Sequence, residues 1–69
     1  ASLDYYHWLQ QQPASFQDVA IGPVRAKLFR EGGLSVERFA ELQLDRNFAP
    51  LTLAQMKALE PLAFERAGI

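Results

Sequence analysis

Residues 34–42 read LSVERFAEL and residues 51–59 read LTLAQMKAL. In each, a leucine precedes Ser35 or Thr52, and a bulky apolar side chain stands one helical turn further on. Ser or Thr in that place is an N-cap, because its side-chain oxygen takes a first-turn N–H that no carbonyl reaches. The leucine outside the cap then packs on the fourth helical residue, Leu34 on Phe39 and Leu51 on Met56, as a hydrophobic staple. Thr52 and Gln55 also have the spacing of a reciprocal capping box. The likeness of the two segments follows from shared capping physics more readily than from duplication, and two copies are too few for a solenoid, which needs about three. Two helix starts marked this clearly point to an all-α fold.

The rest of the chain uses the same signals. A first helix is expected from about Leu3 to Gln12, with Ser2 as N-cap, Asp4 in the first turn and Pro13 ending it. Ser15 is expected to cap a short helical turn through Asp18 and Ala20, closed by Gly22. Pro23 suits the first position of a helix through about Glu31, since its missing N–H would be unpaired there anyway. Gly32 and Gly33 stop that helix. The helix after Ser35 is expected to run to about Leu44 or Arg46, followed by the loop RNFAP. Pro61 either kinks the last helix or starts a second one, because a proline in a helix interior costs ~3 kcal/mol. Gly68 and Ile69 fit a left-handed C-terminal cap. The resulting picture is a compact bundle of four or five short helices joined by tight turns.

Sixty-nine residues make one domain over 1–69, with a core whose net stability is typically only ~3–5 kcal/mol. Hydrophobic residues at 49% against 22% charged give a globular balance. Seven Lys and Arg against eight Asp and Glu leave a net charge of −1, which is no footprint for a polyanion. Cysteine is absent. Disulfides and thiolate metal sites are therefore excluded, but zero cysteines fit either side of a membrane, so the compartment stays open, with the cytoplasm slightly favoured. No apolar run reaches the ~18–20 residues that span a bilayer, and the first residues form no signal peptide. The opening Ala1-Ser2 reads as an expression scar, a processed terminus or the edge of a domain excised from a longer chain.

The residues that most resemble chemistry are DYYHWLQQQ, 4–12. At 100° per residue, Tyr5, Tyr6, Trp8 and Leu9 share one arc, with Leu3 at its margin. That arc is expected to face the core, with Tyr6 at its edge. His7 falls on the polar face with Asp4 and Gln11, where an i,i+3 pairing with Asp4 is available. A lone histidine without cysteine does not build a zinc site. Ser2, Ser15 and Ser35 sit at N-cap positions, not beside a base. Glu37 and Glu41, with Arg38 beside them, lie opposite Val36, Phe39, Ala40 and Leu42, and read as a solvated face. REGGLS lacks the glycine spacing and the lysine of a phosphate loop. No metal, cofactor or catalytic constellation is expected.

Function is then read by elimination. Arg25, Lys27 and Arg30 concentrate three of the seven basic residues in the helix after Pro23. Val24 and Leu28 should face the core there, with Phe29 on the flank beside Arg25. Tyr, Phe and Arg are favoured in binding hot spots, so the partner-binding candidates are Tyr6, Arg25, Lys27, Phe29 and Arg30. The expected role is a non-enzymatic protein-interaction, adaptor or assembly module. A homodimer is weighed evenly against a heterologous protein partner. A nucleic-acid-binding helical domain is the alternative, and an accessory domain of an enzyme with its catalytic part elsewhere is the third. A helix-turn-helix is disfavoured, since QLDRNFAP is long for a 3–4-residue turn and the following helix offers Gln55 and Lys57 without a basic cluster.

Overall fold

The computed structural model describes residues 2–69, the side chain of Ser2 excepted. Among these residues the chain forms six helices: α1 (Ser2–Gln10), α2 (Ala14–Ile21), α3 (Pro23–Glu31), α4 (Val36–Glu41), α5 (Leu53–Leu59) and α6 (Pro61–Ala67). The fold is a small all-α bundle, with six helices where four or five were expected. Pro61 accounts for part of the difference. Glu60 leaves the helical region at φ −136°, ψ 63°, and Pro61 then opens α6 in its first turn, so the proline divides two helices instead of kinking one.

The caps at Ser35 and Thr52 form as read. Ser35 Oγ accepts from Arg38 N–H at 3.1 Å. Thr52 Oγ1 accepts from Gln55 N–H at 3.1 Å while Gln55 Oε1 accepts from Thr52 N–H at 2.8 Å, completing the box. Leu34 packs against the core that contains Phe39, and Leu51 and Met56 lie inside it. At the C-terminus Gly68 is left-handed at φ 73°, and Ile69 N–H reaches back to Phe64 C=O at 3.0 Å. The proposed Ser2 cap rests on a side chain outside the described set.

Three boundaries move. α1 stops at Gln10, because Gln11 and Gln12 N–H bond Trp8 and Leu9 C=O in a tightened last turn. α2 starts one residue before the expected cap: Pro13 precedes it, Pro13 C=O takes the Phe16 and Gln17 N–H groups, and no side chain caps it. α4 ends at Glu41, short of Leu44. There Gln43 Nε2 donates to Phe39 C=O at 2.9 Å, which satisfies a terminal carbonyl and lets the chain turn away.

Helix packing follows the pairs α1 on α4, α2 on α3, α3 on α6 and α5 on α6. The core gathers Leu9, Leu28, Phe29, Val36, Phe39, Leu42, Leu51, Met56, Ala63 and Phe64. Phe29 and Phe39 stack at 4.4 Å between ring centroids. Tyr6 sets its ring edge-to-face against both, at 6.3 and 5.5 Å. Two sequence placements on α3 are corrected. Phe29, expected on the flank, is buried at 6% exposure, and Val24, expected inside, is exposed. α3 is covered by α2 on one side and α6 on the other, so its buried arc is wider than a single-face reading allows.

Polar groups tie the bundle together. The buried Gln17 Nε2 donates to Leu9 C=O and Gln12 C=O, both at 3.0 Å, and its Oε1 accepts from Arg30 at 3.2 Å. It thereby adds a second donor to Leu9 C=O, which already accepts from Gln12 N–H, and supplies one to Gln12 C=O just beyond the end of α1. Arg38 donates to Glu60 at 2.5 Å and Glu41 at 3.2 Å, fixing α4 to the link between α5 and α6. The hydrogen bonds to Glu60 and then Glu41 hold the Arg38 guanidinium above its ordinary pKa.

Candidate protein-binding surface

The five sequence-derived candidates do not form one surface. Tyr6 and Phe29 meet edge-to-face within the core region. Burial pushes the Tyr6 phenol up, Tyr5 beside it adds to the rise, and Arg25 opposes it. Arg25 Nη2 donates to Leu51 C=O at 3.0 Å. Lys27 Nζ lies beside Gly68 at the C-terminal end of α6, where helix carbonyls favour a cation. Arg30 is held by Gln17 and by Asp18 at 3.2 Å. Each cation of α3 therefore leans on a different part of the same chain. His7 is exposed, as read, with Nε2 3.6 Å from Glu37 Oε1 on α4.

A different cluster reaches solvent. The core side of α1 runs along Tyr6 and Leu9, which leaves Trp8, about 100° round from Leu9, facing outward. Trp8 and Tyr5, expected in the core, are 46% and 43% exposed. Trp8 sets its ring edge-to-face against Phe16 of α2 at 5.4 Å, and Tyr5 lies 5.9 Å from Trp8. Phe16 itself is 44% exposed. Val19, one turn along α2, is 87% exposed. The inward side of α2 is taken by Gln17 and Ile21. The signal that points to this face is in ASFQDVAI itself, whose apolar residues lie on both sides of the helix wheel, more than one buried face requires.

A second exposed aromatic sits on the loop between α4 and α5. Asp45 Oδ1 accepts from Asn47 N–H at 2.8 Å and Ala49 N–H at 2.9 Å. Asp45 N–H donates to Ala49 C=O at 2.9 Å, and Asp45 C=O accepts from Phe48 N–H at 3.0 Å. An isolated antiparallel bridge joins Leu44 and Pro50 at its base. Phe48 is 81% exposed and takes a left-handed φ of 61°, a conformation that costs an L-residue roughly 1–2 kcal/mol. Phe48→Gly should therefore stabilise the fold by about 1 kcal/mol, raising Tm by several degrees in a domain of this size. A thermal melt checks this, and a drop in Tm would mean the Phe48 ring contributes packing that its exposure does not show.

Among the described residues there is no cavity that encloses a small ligand and no group of three His, Asp or Glu placed to hold a metal ion. No helix among the described residues is long and apolar enough to cross a membrane. Among the described residues, Tyr5, Trp8 and Phe16 are exposed aromatic side chains joined by ring contacts into one face. Compared with known proteins, the chain matches no family, no curated protein and no solved structure.

Proposed function

We propose that this chain is a non-enzymatic protein-interaction or assembly module whose binding surface is the α1–α2 aromatic face. The observation that supports the reading is the contiguity of Tyr5, Trp8 and Phe16, each touching the next and each nearly half exposed. Rings of 150–250 Å² each present roughly 250–300 Å² of aromatic surface in one place, and contiguous apolar patches of about this size on small proteins are often functional. Tyr and Trp are also the residue types in which binding energy concentrates. The rings are mutually braced, so little conformational freedom is lost when a partner covers them.

Affinity capture from the host organism tests the reading, with the Trp8→Ser/Phe16→Ser double variant as comparison. Circular dichroism first establishes that the variant keeps its helices. The expected result is that proteins retained by the native chain are lost with the variant. Retention of the same proteins by the folded variant would place binding elsewhere on the molecule.

A further inference from the structure

We infer that the occupant of the α1–α2 aromatic face is the same face of a second copy of this chain, an inference that rests on reading that face as a binding surface. Its chemistry is self-complementary. Tyr5 and Trp8 on α1, Gln12 just beyond its end, and Phe16, Val19 and Ala20 on α2 include no charged residue. A partner recognised by charge would need a counter-charge on this face, whereas a copy would meet like charges if any stood there. Asp18 is turned to Arg30 at 3.2 Å. Asp4, one turn before Trp8 on α1, is the nearest carboxylate on that helix and already has an interaction within its own chain. The Gln12 amide nitrogen already donates to Trp8 C=O at 3.3 Å, and the Tyr5 hydroxyl carries both a donor and acceptors, so two-fold pairing can match it to itself. A net charge of −1 per chain adds little repulsion between copies.

The available area agrees with a weak pair. Adding Val19, Ala20 and the rim residues to the three rings, two faces together would bury about 1,000 Å², the lower limit for a specific interface. An interface at that lower limit places the pair among weak, transient associations, whose affinity area alone does not set. Trp8 is the chain's single tryptophan and lies in the middle of the face. Its emission therefore reports this surface and no other.

Sedimentation equilibrium from about 10 µM to about 1 mM, with Trp8 emission followed over the same range, decides the matter. The expected result is an average mass rising toward twice that of one chain, with a parallel blue shift. Val19→Asp puts a charge at an 87% exposed position and, once circular dichroism shows its helices kept, should weaken the association about tenfold or more. Phe16→Ser should do the same. Leu62→Ser removes an exposed leucine from α6, which packs on α3 and α5, and should change it less than about twofold. A chain that stays single to about 1 mM overturns the inference. So does a dimer indifferent to Val19→Asp and Phe16→Ser, or one equally sensitive to Leu62→Ser. A single-chain result combined with loss of captured host proteins in the Trp8→Ser/Phe16→Ser variant overturns the second copy alone. If neither self-association nor capture depends on these residues, the binding surface itself is overturned.

Discussion

Phe39→Ala is expected to leave the chain largely unfolded, while Trp8→Ala leaves it folded. Phe39 is fully buried, stacked on Phe29 and met edge-on by Tyr6, so its removal opens a void among three rings. Deleting a buried Phe costs about 3–5 kcal/mol, and a domain of this size has only ~3–5 kcal/mol of net stability. Trp8 keeps almost half of its surface in water and touches Tyr5 and Phe16 at the rim. Its truncation should cost about 1 kcal/mol, the value typical of a partly exposed aromatic contact. Urea denaturation followed by circular dichroism ranks the two. If Trp8→Ala proved the more damaging, α1 would have to be turned so that Trp8 enters the core.

The second large effect is expected at Gln17. Gln17→Ala removes the side-chain donors of Leu9 C=O and Gln12 C=O and one of the two acceptors of Arg30. Leu9 C=O keeps the Gln12 N–H, but Gln12 C=O loses its side-chain donor. Stranding an acceptor out of water costs about 1–3 kcal/mol, so a loss of about 2 kcal/mol is expected together with fraying of the α1–α2 junction. Gln17→Met separates this from packing, since it fills nearly the same volume and donates nothing. Both variants should fall well below the native chain in urea midpoint. A Met variant equal to the native chain would mean that the hydrogen bonds at this junction contribute nothing net, and that Gln17 acts by volume.

Most of the helical framework was legible because its signals are local. Ser35, Thr52 with Gln55, Pro23 and Gly68 each satisfy or remove a specific backbone group, and no distant contact is needed to read them. The α4 terminus was less accessible. It depends on Gln43 reaching a carbonyl and on the turn that Asp45 organises, both of which compete with a helix that hydrophobic spacing alone would continue. The surface was the least legible part. Whether Trp8 or Phe29 is covered depends on which helices flank α1 and α3, and neither neighbour is adjacent in sequence at every point: α1 meets α4, and α3 meets α6 as well as α2. Amphipathic arithmetic gives an apolar arc, but topology decides which part of that arc is used. In α1 the arc proved wider than its core contact, and the surplus became the aromatic face.

The order of those contacts has a consequence for how the chain holds together in time. α2 on α3 and α5 on α6 are neighbours along the chain and close short loops, which form fast. α1 on α4 and α3 on α6 close long loops, and the two closures interlock: α3 lies inside the span from α1 to α4, and α4 lies inside the span from α3 to α6. Neither half can therefore be completed while the other is open. Severing the backbone between α4 and α5 would leave α3 with one of its two covers missing and Arg38 without Glu60. Interlocked closures of this kind make local opening expensive and whole-chain opening the cheapest route to exposure. Despite its six short helices, the molecule is expected to unfold as a single cooperative unit, with circular dichroism and Trp8 emission tracing one coincident transition.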